Sequence, residues 1–157
     1  MFTSGTIHDV IVKELVRHAD PRGWLTELFR QDELEERYFP VMGYVSMTKA
    51  GVARGPHEHV GQADCFAFLG PSTFRIYLWD NRKNSPTYLA RQTLDAGESI
   101  PRVVVIPEGI VHAYKNTGDV PGWVINLPNR LFGGHGRKSK VDDIRYENDP
   151  NTVFVLD

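Results

Sequence analysis

Residues 51–70 read GVARGPHEHVGQADCFAFLG. Two histidines, His57 and His59, stand two apart between a glycine-bounded turn and an apolar run. In an extended strand, residues i and i+2 point to the same face. The two imidazoles therefore enter one space, and Asp64, five residues on, can return a carboxylate to it. A second stretch, PEGIVHAYKN at residues 107–116, sets His112 three residues after the glycine of a Pro-x-Gly turn. Outward from these two segments the chain is a series of short β-rich runs, at 10–16, 23–30, 42–48, 65–69, 73–79, 88–94, 102–106, 113–115 and 123–126. Val, Ile, Tyr, Phe and Trp enrich several of them, as a half-buried pleated surface favours. Turn signals at 20–23, 70–72, 80–81, 95–97, 107–109 and 116–119 separate them. The one helix-like stretch is 32–37. Many short strands at near-regular spacing indicate an all-β antiparallel sandwich or barrel.

The 157 residues fit one domain, 1–157, and 41% hydrophobic content is enough for a real core. A formal net charge of −2 gives no general attraction to nucleic acid or to an anionic membrane. No apolar run approaches the roughly 20 residues of a spanning helix. The opening MFTSGTIHDV lacks the basic and apolar regions of a signal peptide, and a single cysteine, Cys65, excludes an intramolecular disulfide framework. A cytoplasmic protein is expected. Residues 131–157 are glycine-rich at their start, and Val153-Phe154-Val155-Leu156 reads as a last strand or as an arm packing on a partner subunit.

The two histidine segments together resemble the cupin superfamily. Gly51, His57, His59 and Asp64 fit its first motif with Asp in place of Glu, and Pro107, Gly109, His112 and Asn116 fit its second. The resemblance implies a double-stranded β-helix, or jelly-roll barrel. In metal-binding cupins the ligands would be His57, His59, Asp64 and His112, a donor set suited to one divalent transition metal such as Zn, Fe, Mn or Ni. Gln62 is a substitute ligand or a hydrogen-bonding neighbour of the site.

Flanking segments are similar to a narrower family, the dTDP-4-dehydrorhamnose 3,5-epimerases. They are DPRGWLTELF at 20–29, GVARGPH at 51–57, DNRKNSPTY at 80–88, IPEGIVHAY at 106–114 and DIRYENDP at 143–150. This resemblance implies an isomerase acting on a nucleotide-linked 4-keto-6-deoxy sugar. The 4-keto group acidifies the protons at C3 and C5. A histidine removes one and a tyrosine returns a proton from the other face. His57 matches the base, Arg54 and His112 match the sugar and phosphate side of the pocket, and Arg22 and Glu27 match nucleotide contacts reached across a homodimer that exchanges residues 1–30. Such epimerases use no metal.

The sequence departs from that family's pattern at several points. Asp64 replaces its lysine, His59 replaces a glutamine, and no tyrosine stands near Ile125. No counterpart is expected for the C-terminal aspartate that pairs with the family's base. If a metal is bound, its ligands are not free bases, and Glu58 and Tyr114 are the nearest groups to move a proton; Gln62 is among the residues that bind substrate. Two other functions fit the same residues. One is a metal-dependent cupin, a dioxygenase or isomerase, on another small molecule. The other is a cupin that binds a ligand without catalysis.

Overall fold

Residues 64–68, Asp-Cys-Phe-Ala-Phe, alternate between two environments, and that alternation sets the architecture. A computed structural model describes residues 1–157. Its strands are β1 (Thr3–Ser4), β2 (Ile11–Glu14), β3 (His18–Asp20), β4 (Gly23–Leu25), β5 (Tyr44–Thr48), β6 (Ala53–Glu58), β7 (Asp64–Phe68), β8 (Thr73–Asp80), β9 (Ala90–Gly97), β10 (Arg102–Ile106), β11 (Ile110–Asn116), β12 (Gly122–Asn126) and β13 (Ile144–Arg145). One sheet has the order β1-β9-β8-β11-β6-β13 and the other β2-β10-β7-β12-β5, while β3 and β4 form a separate hairpin. Only β1 pairs in parallel, with β9.

The two sheets face each other as a jelly roll of the cupin type. Phe66, Phe68, Val104 and Val124 from one sheet meet Phe74, Ile76, Leu78, Ile110 and Tyr114 from the other in a single buried cluster. Each large side chain so buried contributes about 1.5–3 kcal/mol of transfer free energy. The alternate residues Cys65, Ala67, Val103 and Val105 face outward, beneath Leu15, Leu28, Leu34 and Tyr38. On the opposite outer face Tyr77, Trp79, Val111 and Ala113 are covered by Phe2, Phe154 and Leu156. Residues 15–38 thus lid one sheet, and the two chain ends together lid the other.

Several elements differ from the sequence-based expectation. The run at 23–30 is extended only over Gly23–Leu25, because its hairpin finds no third strand to pair with. The helix-like stretch is a single 3-10 turn, Glu36–Tyr38, anchored by the buried Tyr38. The strand expected at 88–94 starts at Ala90 and runs to Gly97. Its turn signal at 95–97 is overridden: Ala96 enters the inner core, and Asp95 pairs across the sheet with Arg75 at 2.9 Å. Residues 153–156 form no strand. Phe154 sits edge-on to Trp79 with centroids 5.8 Å apart, and the Tyr77 hydroxyl donates to the Asp157 carbonyl at 2.8 Å. Within the single chain β2 pairs with β10.

Residues 80–88 owe their shape to one buried carboxylate. Asp80 is fully buried. It accepts from Arg82 Nε (2.9 Å), Ser85 Oγ (2.6 Å) and Thr87 Oγ1 (2.6 Å). Arg82 also donates to the carbonyl of His8 at 2.7 Å, which ties the N-terminal segment to this turn.

Candidate active site

Strand β6 brings the first two histidines to the barrel mouth through a local irregularity. His112 lies opposite His57, and Tyr114 opposite Arg54, so three steps along β6 match two along β11. A bulge of this kind re-aims side chains. Here it lets Arg54 and His57 both face the interior. Gly55 makes it feasible: its φ is +81°, and a Cβ there would lie 2.6 Å from the His112 carbonyl oxygen.

The four side chains singled out by spacing converge. Donor atoms of His57, His59, Asp64 and His112 all lie within 4.8 Å of one another. The imidazoles of His57 and His112 have centroids 4.3 Å apart. Asp64, 1% exposed, organises the group. Its Oδ1 accepts from Gln62 Nε2 (2.9 Å) and Asn126 Nδ2 (2.8 Å). Its Oδ2 faces His59 Nε2 at 3.1 Å and His112 Nε2 at 3.2 Å.

The tautomers follow from the other ring nitrogens. A carbonyl oxygen only accepts, so His112 Nδ1–H donates to Ile110 O at 3.0 Å and His59 Nδ1–H donates to Asp142 O. In their neutral forms both rings then present a bare Nε2 to Asp64 Oδ2. Accordingly, Asp64 Oδ2 and His112 Nε2 are buried atoms without a hydrogen-bond partner. His57 is different, because neither of its nitrogens is engaged in a hydrogen bond and its ring borders the open cavity.

Charge states follow the surroundings. Burial, reinforced by His112 and His59, pushes the His57 pKa down, so its imidazole is neutral. Burial alone would lower His59, but hydrogen bonding to Asp64 outweighs it and the net shift is upward. Burial would raise Asp64, yet His112 and His59 hold it below the usual carboxylate range.

A cavity of ≈ 600 Å³ opens between the sheets above this cluster. Among the expected site residues, Arg54, His57, His59, Gln62 and Tyr114 line it. Arg54 is anchored through Thr48 Oγ1 (2.9 Å) and the Met47 carbonyl (2.8 Å). Glu58 points to the other side of β6, where Tyr146 donates to it at 2.7 Å and Asn81 at 3.2 Å, so it is not a cavity group. Arg22 and Glu27 also lie outside the cavity of their own chain, in exposed pairs with Asp20 and Arg30. Residues 143–150 entered the sequence reading only as a family-like segment, yet residues 139–147 strap the cavity. Strand β13 pairs Arg145 with His57, and the Asp142 carboxylate accepts from the amides of Val60 and Gly61. Tyr44, Arg130 and Lys140 complete the wall.

Comparison with known proteins decides the family. The dTDP-4-dehydrorhamnose 3,5-epimerase family matches residues 4–124. The chain belongs to the dTDP-4-dehydrorhamnose 3,5-epimerase family. Among epimerase relatives, the probable low-salt glycan biosynthesis epimerase Agl13 of Haloferax volcanii is 43% identical over 128 residues, covering 80% of this chain and 81% of that one. The spore coat polysaccharide biosynthesis protein SpsL of Bacillus subtilis is 34% identical over 121 residues, covering 76% and 78%. The epimerase-family fold is matched by a dTDP sugar isomerase structure from Desulfovibrio desulfuricans G20, with a TM-score of 0.77 at 20% identity over 92% of this chain and 87% of that one. His57, which the sequence resemblance matches to a base, stands at the cavity wall, and the cluster behind it is built on Asp64.

Proposed function

We propose that this sugar-nucleotide epimerase inverts a carbon next to the 4-keto group of a dTDP-linked 4-keto-6-deoxy sugar, with His57 as the base. The observation that carries this reading is the His57 imidazole. It is kept neutral and free of hydrogen bonds, and it stands at the wall of a cavity large enough for a sugar. The carbonyl acidifies the neighbouring C–H, His57 takes its proton, and the electron pair becomes an enolate. Arg54, Arg130, Lys140 and Arg145 supply positive charge along the cavity for a diphosphate. Gln62 holds Asp64 and reaches the same space. The buried, unmodified Cys65 needs no oxidising compartment, in keeping with a cytoplasmic enzyme.

One observation favours a second reading of the cluster. With His59 and His112 both neutral, their Nε2 atoms, 3.1 and 3.2 Å from Asp64 Oδ2, would leave buried lone pairs facing one another. That is the spacing of neighbouring ligands around a first-row cation bound at about 2.0–2.2 Å. His57, His59, Asp64 and His112 fit such an ion, which when bound would polarise a carbonyl oxygen in the cavity. A ligating His57 has no lone pair for a substrate proton, so the two readings oppose each other. Thermal melting of tag-free protein, with its metal content measured, separates them. Under the base reading, dTDP raises the melting temperature and a chelator changes nothing. About one metal per chain, with destabilisation by chelator, would favour the ion. Failure of dTDP to shift melting would count against the nucleotide.

The surface supports a homodimer. Val45, Met47 and Trp123 on the outer face of the five-stranded sheet are exposed, as are Trp24 and Leu25 on the β3–β4 hairpin. A second copy covering this apolar face would bring Arg22 and Glu27 within reach of another subunit, and residues 1–30 are the segment available for exchange. Light scattering should give twice the mass of one chain for the native protein and one chain for Trp123→Glu. A monodisperse native monomer would remove the proposal.

A further inference from the structure

The proton-returning group in this chain is not where the family's pattern puts it, and the cavity holds two candidate phenols. Inversion at a carbon requires that the proton leave from one face of the enolate and return to the other. The base stands on β6, in the six-stranded sheet. Tyr114 stands on β11, the hydrogen-bonded neighbour of β6 in that same sheet. Tyr44 stands on β5, in the facing sheet, and also lines the cavity. A substrate between the sheets therefore has His57 on one side and Tyr44 on the other.

Hydrogen bonding separates the two phenols further. The Tyr114 hydroxyl lies 3.0 Å from Ser46 Oγ, and either atom can be the donor. The Tyr114 side chain is buried and its ring is wedged edge-on among Phe66, Phe68 and Phe74. For Tyr44 the direction is fixed. Asn126 Oδ1 accepts from the Cys65 amide at 3.2 Å, which fixes the orientation of the side-chain amide. Asn126 Nδ2 then donates both to the Tyr44 hydroxyl oxygen at 3.0 Å and to Asp64 Oδ1 at 2.8 Å. Tyr44 accepts here, and its own proton is left for the cavity. The donated bond also stabilises a transient phenolate.

We propose that Tyr44 is the catalytic acid, returning a proton to the enolate face opposite His57. This rests on the epimerase reading above. In balance, His57 takes the proton as the C–H bond breaks, and the enolate collapses as a new C–H bond forms with the Tyr44 proton. The phenolate then regains a proton from water as protonated His57 releases one, so nothing is oxidised or reduced. Asn126 is a positioning residue that sets the direction of the Tyr44 hydroxyl.

The test is Tyr44→Phe in deuterium oxide with a dTDP-linked 4-keto-6-deoxyhexose, following isotope entry and product configuration separately. His57 still labels the carbon from its own side, so exchange should persist within a few-fold of wild type. Inverted product should fall by about 10²-fold or more. Asn126→Ala should slow inversion more than exchange, and Asn126→Asp should not rescue it. Tyr44→Phe that inverts at the wild-type rate overturns the assignment, as does Tyr114→Phe being the variant that splits exchange from inversion. If the wild type itself shows no exchange, the epimerase reading fails and takes Tyr44 with it, an outcome distinct from the first two.

Discussion

His57→Asn is expected to lower epimerase turnover by about 10³-fold, within the range that a positioned general base contributes. Asparagine keeps the approximate size and polarity of the ring and offers no basic lone pair. The loss should appear in kcat, because the residue acts on the reacting C–H bond and leaves the nucleotide contacts in place. Stabilisation by dTDP should therefore survive the substitution. His57 makes no hydrogen bond, so the barrel should tolerate its replacement better than that of His112, whose Nδ1–H is bonded to Ile110 O at 3.0 Å. Turnover within ten-fold of wild type would mean that another group takes the proton.

The largest stability effect is expected at Asp80. Asp80→Ala should cost about 3 kcal/mol, the lower end of what removing one partner of a buried charged pair costs. It leaves Arg82, Ser85 and Thr87 without their shared acceptor and frees the contact from Arg82 to His8 O. Denaturant titration reads the change directly. The same site predicts an acid limb. Burial alone would raise the Asp80 pKa, but the donors from Arg82, Ser85 and Thr87 hold it down at about 2. Its folded pKa is thus below the unfolded value of about 3.9. The stabilisation is fully present above about pH 4 and is lost as pH falls toward 2, by about 2 kcal/mol. Asp80→Asn should flatten that step. An unchanged acid limb in this variant would assign it to other carboxylates.

The motif around Asp80 also shows what a sequence can and cannot reveal here. Residues 80–88 are legible as a polar turn, and the structure explains the spacing: a carboxylate, then donors two, five and seven residues on. The histidine cluster is legible for a similar reason. Period-two spacing fixes the common face of His57 and His59, and the turn at 107–109 aims His112 back at them. The roles of Asn126, Tyr44 and the strap at 139–147 are not legible, because they depend on partners far away in the chain. Tyr44 meets Asn126 only through pairing of β5 with β12, and Arg145 meets His57 only through β13 on β6. The alternation of Tyr44, Ser46 and Thr48 with Val45 and Met47 is visible in sequence, yet nothing local says which set faces the cavity. Glu58 shows the converse. It is adjacent to the base in sequence, and for that reason lies on the opposite face of the strand.

Proton removal next to the carbonyl tests the central claim most directly. The wild-type protein, incubated in deuterium oxide with a dTDP-linked 4-keto-6-deoxyhexose, should place deuterium at C3, C5 or both, and His57→Asn should not. A wild-type enzyme that is stabilised by dTDP yet leaves both carbons unlabelled would contradict the account.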